Sequence, residues 1–367
     1  MLVDLAGLTT LTLLAADGKP PPEGVTFLES SSSRGLAAWL RRPLRPRRTH
    51  RGTGTWPESM NPGGNDAATI VATAVASAVQ APAGQPWFTD PLALLASVAR
   101  AAEQSEPPLP DGQAQLLRPL AEAVASAPAA SWWWEPTDLR HQRWVGCGHH
   151  RTLARGGDVA RAVEAAEEAA AAEEEAEAAA AEKEVRALAA RRRGRGTVEV
   201  TVSGTWWSGP LGGTVWTSRG NIGDLPAVGL ACAGDSLGEE EFEVWAVEID
   251  PAARVYEVHE PGDWGRLAAT YPRDVTASRR HDWNRWTGRE GQWILPDWRS
   301  VAAQWDGVHV SVAGYLSTAG MAVDSGGAAA TLLAGWDADQ TLWLRDVFTG
   351  TRRLTTWHGT PGPEALS

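Results

Sequence analysis

Cysteine and lysine are scarce in this chain of 367 residues, and the chain has no net positive charge. Its only cysteines are Cys147 and Cys232, so a disulfide framework is excluded and a reducing compartment is indicated. Arginine serves almost everywhere as the basic residue, since lysine occurs only at Lys19 and Lys183. The formal net charge of −12 at pH 7 argues against an extended nucleic-acid-binding surface, because such a surface needs a basic footprint.

Long apolar runs and the common catalytic motifs are missing as well. No apolar segment approaches the ~20 residues that span a bilayer, and the apolar opening carries Asp4 and lacks the basic start of a signal peptide. We therefore expect a cytoplasmic protein without a membrane partner. The sequence has no GxGxxG after a strand, no Walker loop, no HExxH and no GxSxG with triad partners, which disfavours the common cofactor enzymes.

The first two regions of the chain are separated by composition. Residues 1–59 combine a serine run with an acid-free, arginine-rich stretch, which predicts a disordered extension or translated upstream sequence. Residues 60–155 predict a layer of three helices, at 66–79, 91–103 and 113–126. The tryptophan run at 132–134 either seals this layer against the rest of the chain or stacks on a ligand.

Residues 156–195 predict one long helix. Asp158 stands at its start, glutamates crowd its middle and arginines 191–193 close it, an order that suits the helix dipole. The segment has no repeating seam of large apolar residues, so we expect a solvated connector and not a coiled coil.

Residues 196–350 change to strand patterns and predict an α+β domain built on a mostly antiparallel sheet. A turn at residues 337–340 predicts a hairpin between the last two strands. We expect residues 351–367 to form a flexible tail. The predicted strands cover residues 197–202, 213–217, 244–249, 254–259, 308–313, 331–336 and 341–347.

Two segments of this domain, at residues 263–271 and 297–305, share the pattern D-W-x-x-apolar-A-A-x-aromatic. In each copy the apolar residues recur at i, i+3, i+4 and i+7, which predicts a short helix with one apolar stripe. Asp263 and Asp297 stand where an N-cap belongs, accepting a backbone N–H that the first turn leaves unpaired. We therefore expect two Asp-capped helices that pack their tryptophans onto the sheet.

Candidate catalytic residues lie on and beside the predicted strand 308–313. Its alternation turns the valines to a core side and His309, Ser311 and Tyr315 to a working side. An imidazole titrates near neutrality and a carboxylate can orient it, so His309 with Asp306 is a candidate acid–base pair. Glu257, on another predicted strand, is a candidate carboxylate for a ribose hydroxyl.

Candidate ligand-binding residues are arginines and aromatic or imidazole side chains, several of them in a predicted loop at residues 278–286. Arginine forks fit phosphate and indoles stack on bases or nicotinamide, so a nucleotide-like ligand is indicated, with NAD as the candidate cofactor. The alternative is that these arginines stack on tryptophans and pair with acids as structural elements. The candidates are Arg219, Arg279, Arg280, His281, Trp283 and Tyr315.

A metal site is not predicted. The group His141, Cys147, His149 and His150 holds residue types that bind zinc, but its spacing matches no closed zinc pattern. No second cysteine pair complements it.

These residues support three hypotheses from different classes. The first is an intracellular enzyme acting on a nucleotide-containing substrate, with the parts that ADP-ribosyl transfer needs: Arg219 for the pyrophosphate, aromatics for nicotinamide and a carboxylate for the ribose. The second is a protein-interaction module whose helical layer meets a protein partner. The third is a hydrolase that uses His309 and Asp306.

Overall fold

The computed structural model describes part of the chain, which divides into two compact units at residues 131 and 132. The predicted extension, the first two predicted helices and the predicted strand 197–202 lie outside the described residues. In the first unit, only Glu122 and residues 125–131 are described. The described residues are 122, 125–147, 153–192, 205–210, 212–220, 222–223, 225–232 and 241–358.

The described chain has an α+β fold, as the sequence predicts. Its strands are β1 (Gln142–Cys147), β2 (Val215–Arg219), β3 (Glu241–Ile249), β4 (Val255–Val258), β5 (Pro272–Asp274), β6 (Gln292–Pro296), β7 (Gly307–Val310), β8 (Ala322–Asp324), β9 (Ala329–Leu332), β10 (Gln340–Trp343) and β11 (Phe348–His358). Its helices are α1 (Gly157–Arg192), α2 (Val228–Cys232), α3 (Pro261–Thr270), α4 (Thr276–Thr287), α5 (Trp298–Ala302) and α6 (Val312–Thr318). A 3-10 helix, Pro128–Trp134, precedes β1.

The strands form two mixed sheets. The larger sheet has the order β11-β3-β1-β2-β10-β7-β4, and the smaller has the order β5-β6-β9-β8. Neighbours in the larger sheet run antiparallel except β4 and β7, which run parallel. In the smaller sheet β6 and β9 are parallel, and the other pairs are antiparallel.

The last strands differ from two predictions, the hairpin at residues 337–340 and the flexible tail. The turn before β10 is present, with Asp339 at φ 57°, but it joins the two sheets instead of closing a hairpin: β9 pairs with β6 and β8, while β10 pairs with β2 and β7. A turn motif determines the local backbone geometry, but it does not determine which strands pair with each other. The expected tail at residues 351–358 belongs to β11, which pairs with β3. Its exposed threonines and arginines lack the alternation that predicts a strand.

Two further segments differ from their predicted secondary structure. The predicted loop 278–286 lies within helix α4. The predicted strand 308–313 ends at Val310, and Ser311 is the N-cap of α6, accepting a hydrogen bond from the Gly314 N–H at 3.1 Å. Serine is a strong helix N-cap, and here the cap overrides the strand preference of the flanking valines. Ser311 and Tyr315 therefore do not share a strand face with His309.

Tryptophans dominate the core, in agreement with the repeated Asp-Trp pattern. Trp264 and Trp298 begin the apolar stripes of α3 and α5, both are fully buried, and their ring centroids lie 6.2 Å apart. Trp336 packs against both rings. The Asp297 carboxylate caps α5 by accepting the Ser300 N–H at 2.7 Å, as predicted.

Helix α3 begins three residues earlier than its capping pattern suggests, with Glu260 instead of Asp263 at the N-cap. Pro261 stands at its first position, where proline is favoured because no N–H is needed there. Asp263 therefore lies inside the first turn, and its carboxylate accepts the backbone N–H groups of His259 at 2.9 Å and Glu260 at 3.1 Å. The aspartate still satisfies backbone donors at the helix start, but it is not the N-cap.

Helix α1 is 36 residues long and does more than connect. The Glu174 carboxylate accepts the N–H groups of Ala277 at 2.7 Å and Ser278 at 2.9 Å, in the first turn of α4. Seven residues earlier on α1, the Glu167 carboxylate accepts the Trp298 N–H at the start of α5, at 3.1 Å. Residues seven apart share a helix face, so α1 supplies caps to two helices, and the prediction of a solvated connector is corrected.

We expect Glu174→Ala to lower the free energy of unfolding by about 1–2 kcal/mol, the usual cost of losing a helix cap. The α4 N-cap, Val275, has no side-chain acceptor that could replace the carboxylate. Urea unfolding measures the change, with Glu175→Ala on the exposed side of α1 as the matched control. Equal stability of the two variants would contradict a capping role for Glu174.

Candidate functional site

Three residues selected from the sequence, Arg219, Glu257 and His309, come together in the larger sheet. They lie on β2, β4 and β7, within the four adjacent strands β2-β10-β7-β4. Asp339 stands immediately before β10, between β2 and β7 in the sheet. We call Glu135, Arg219, Glu257, His309 and Asp339 the His309 cluster.

The His309 imidazole is held between two carboxylates. Its Nδ1 lies 2.6 Å from a Glu257 oxygen and its Nε2 lies 3.4 Å from an Asp339 oxygen. The residue is only 1% exposed. Burial opposes the positive charge, but the hydrogen bonds to Asp339 and Glu257 outweigh it and raise the pKa of His309 to about 9. At neutral pH the ring is therefore an imidazolium that donates through both nitrogens.

Arg219 ties the cluster to the segment before β1. Its backbone N–H and its Nε both donate to Asp339, at 2.8 and 3.3 Å. One terminal nitrogen donates to Glu135 at 2.6 Å, and the other donates to the Pro136 carbonyl at 3.1 Å. The guanidinium lies over the Trp132 ring, 5.4 Å from its centroid. Burial disfavours the charge, yet Asp339 and Glu135 outweigh it and raise the pKa of Arg219.

Glu257 is partly open to solvent, with 23% of its side chain exposed. Its second oxygen accepts the Thr137 N–H at 3.0 Å. Burial raises the pKa of Glu257, but the bond to His309 more than compensates, so the pKa lies below its ordinary value. His259 is next to it: Nε2 is 3.9 Å from the Glu257 carboxylate and Nδ1 is 3.1 Å from the Ser311 hydroxyl.

Asp306 is not the carboxylate partner of His309, which corrects the predicted acid–base pair. Its carboxylate accepts the Arg254 N–H at 2.8 Å and pairs with Arg345 at 3.4 Å. Adjacent position in the sequence suggested the pair, but Asp306 precedes β7 and its oxygens fix the loop before β4. Because His309 holds its proton at neutral pH, it stabilises neighbouring carboxylates and is not free to accept a proton.

The remaining predicted ligand residues lie elsewhere. On α4, Arg279 pairs with Glu173, and Arg280 and His281 lie 3.5 and 3.6 Å from Glu184, all on contacts with α1. Trp283 is fully buried, and its indole N–H donates to the Trp206 carbonyl at 3.0 Å. Tyr315, on α6, is partly buried against the tryptophan core. The contacts of Arg279 and Arg280 on α4 therefore agree with the alternative interpretation, in which these arginines pair with acids as structural elements.

Sequence reasoning missed two members of the His309 cluster. The sequence marks Asp339 only as part of the turn at residues 337–340, and it does not single out Glu135. A buried carboxylate is needed wherever an arginine and a histidine are buried together, which is the signal that could have pointed to Asp339. Nothing local marks Glu135, since its partner lies 84 residues away.

Comparison with protein-family models, with curated proteins and with solved structures found no match to this chain. Across the described ranges, no helix combines the length and apolar character needed to cross a membrane. The same ranges contain no grouping of three or more His, Cys, Asp or Glu side chains that could hold a metal ion.

Proposed function

We propose that this protein is an enzyme that binds a nucleotide-containing substrate at the His309 cluster, with ADP-ribosyl transfer from NAD as its reaction. One observation carries the proposal: an arginine, a carboxylate and an imidazolium converge from three strands, beside an indole ring and a partly exposed edge. These are the groups that recognise a pyrophosphate, a ribose hydroxyl and an aromatic base.

Glu135 occupies the position that we assign to the pyrophosphate. Its side chain is 54% exposed, whereas the Arg219 side chain that it binds is 7% exposed. A guanidinium fork donates hydrogen bonds to phosphate oxygens in the same geometry as to carboxylate oxygens. Substrate binding would therefore displace a solvent-exposed carboxylate and leave the buried bonds from Arg219 to Asp339 intact.

Glu257 would act on the ribose. In ADP-ribosyl transfer the bond between ribose C1′ and the nicotinamide nitrogen breaks, and its electron pair leaves with nicotinamide. The acceptor's nucleophile then bonds to C1′ and releases its proton to water, while the ribose carries positive charge in the transition state. A carboxylate held ionised by His309 would bind a ribose hydroxyl and stabilise that charge.

The proposal predicts that Glu135→Ala binds NAD about tenfold more tightly than the unaltered protein, since one charge-assisted hydrogen bond to Arg219 no longer competes. Isothermal titration calorimetry with NAD and ADP-ribose measures the affinities. Glu164→Ala is the matched control, because Glu164 is a similarly exposed glutamate that pairs with another arginine, Arg299, at 2.6 Å.

A second readout follows the chemistry itself. Transfer of labelled ADP-ribose from NAD should be lost in Glu257→Gln and retained in Glu164→Ala. Absence of NAD binding by both the unaltered protein and Glu135→Ala would refute the proposed substrate. Binding without transfer would refute the proposed reaction and leave a nucleotide-binding protein.

A further inference from the structure

A second imidazole, that of His259, borders the His309 cluster. His259 lies between β4 and α3, and β4 stands at one end of the strand order of the larger sheet. The side chain of His259 is 32% exposed, whereas that of His309 is 1% exposed. An incoming molecule can therefore reach the His259 ring, although it cannot reach the His309 ring.

Hydrogen bonds assign the tautomer of the neutral His259 ring. Its Nδ1 lies 3.1 Å from the Ser311 hydroxyl oxygen. That hydroxyl donates its proton to the Val258 carbonyl at 3.3 Å and accepts the Gly314 N–H at 3.1 Å. A serine oxygen has one proton and two acceptor lone pairs, so its remaining lone pair accepts a hydrogen bond from Nδ1–H. Nε2 is then the nitrogen that carries a lone pair and can accept a proton.

The Nε2 atom of His259 lies close to the Glu257 carboxylate without a direct hydrogen bond. The distance from Nε2 to a Glu257 oxygen is 3.9 Å, which is longer than a hydrogen bond. The same oxygen is 2.6 Å from Nδ1 of His309, and the other Glu257 oxygen accepts the Thr137 N–H. Two hydrogen-bond acceptors are therefore neighbours here, and a molecule that brings an O–H group can donate to Nε2.

We propose that His259 is the general base that accepts the proton of an attacking hydroxyl, an inference that rests on the ADP-ribosyl transfer proposed above. Glu257 holds a ribose hydroxyl in that reaction, so C1′ of the same ring comes close to Nε2 of His259. The acceptor's O–H bond breaks, its proton moves to Nε2, and its oxygen forms the bond to C1′ while nicotinamide leaves with the electron pair of the breaking bond. The exposed imidazolium then releases the proton to water.

This role also defines the chemical class of the acceptor. A hydroxyl group or a water molecule is a weak nucleophile until a base takes its proton, whereas an ionised carboxylate has no proton to lose. His309 cannot be that base, because it already holds a proton at neutral pH. The acceptor is therefore a hydroxyl-bearing molecule, and water is the smallest one.

The test measures NAD hydrolysis by the full chain, with water as the acceptor and nicotinamide release as the readout. His259→Ala should lower kcat by about a hundredfold or more, the usual contribution of acid–base catalysis, and leave the affinity for NAD unchanged. Added imidazole should restore part of the lost rate, because it can take the place of the missing ring. His281→Ala is the matched control, since His281 is a partly exposed imidazole 3.6 Å from another glutamate, Glu184.

The possible outcomes separate this inference from the proposed function. An unchanged hydrolysis rate in His259→Ala would overturn the role of His259 and leave the proposed reaction intact. Weaker NAD binding by the variant, or a lost rate that imidazole does not restore, would also overturn that role. If the unaltered protein releases no nicotinamide, the proposed reaction and the role of His259 fail together. If His259→Ala does not fold, His259→Gln should show the same loss of kcat, because its amide can donate to Ser311 but has no basic nitrogen.

Discussion

Replacing His309 with alanine is expected to lower the free energy of unfolding by about 3–5 kcal/mol, the cost of removing one partner from a buried charge network. The variant leaves Glu257 and Asp339 without the cation that separates them. Asp339 keeps Arg219, but Glu257 loses its shortest bond. Urea unfolding, followed by tryptophan fluorescence, measures the difference.

The matched control is His259→Ala. His259 lies beside the same Glu257 carboxylate at 3.9 Å, and 32% of its side chain is exposed. Its removal leaves no buried charge unpaired, so we expect a loss below about 1 kcal/mol. Comparable losses in the two variants would show that the imidazolium of His309 has no special stabilising role.

Stability is expected to fall as the pH rises from about 6.5 to about 9. The pKa of His309 rises from 6.5 to about 9 in the folded chain because the hydrogen bonds of Asp339 and Glu257 outweigh the opposing effect of burial. The folded state therefore holds a proton that the unfolded state releases. This contribution, about 3 kcal/mol, is complete below pH 6.5 and disappears as the pH passes the folded value.

The measurement is the free energy of unfolding in urea at a series of pH values between 6 and 10. In His309→Ala the corresponding loss should be absent, so the gap between the variant and the unaltered protein should narrow as the pH rises. Two parallel curves would mean that His309 titrates equally in the folded and unfolded chain.

Local signals predicted the local parts of this fold. The Asp297 cap, the apolar stripes of the repeated Asp-Trp segments and the turn at Asp339 each depend on residues within one or two turns of chain. The long helix α1 was also predictable, since alanine and glutamate favour helix over its whole length. These features need no knowledge of what packs against them.

The features that could not be predicted depend on contacts between residues far apart in the sequence. Helix α4 has a polar sequence without an apolar stripe, and Glu174, 103 residues away, supplies its first-turn acceptors. Arg219, Glu257 and His309 could be chosen as polar residues on strands, but their contacts follow from the strand order β2-β10-β7-β4. The predicted pair of His309 with Asp306 was wrong because sequence proximity took the place of sheet geometry.

The caps that α1 supplies also bear on the order of folding. Helices α4 and α5 are short, and isolated helices of such length are marginal in water. The N–H groups of Ala277 and Trp298, in their first turns, find acceptors only after chain segments 103 and 131 residues away have come together. Contacts of such large sequence separation form slowly because the intervening loop must close first. We therefore expect α4 and α5 to be consolidated late in folding, when α1 docks.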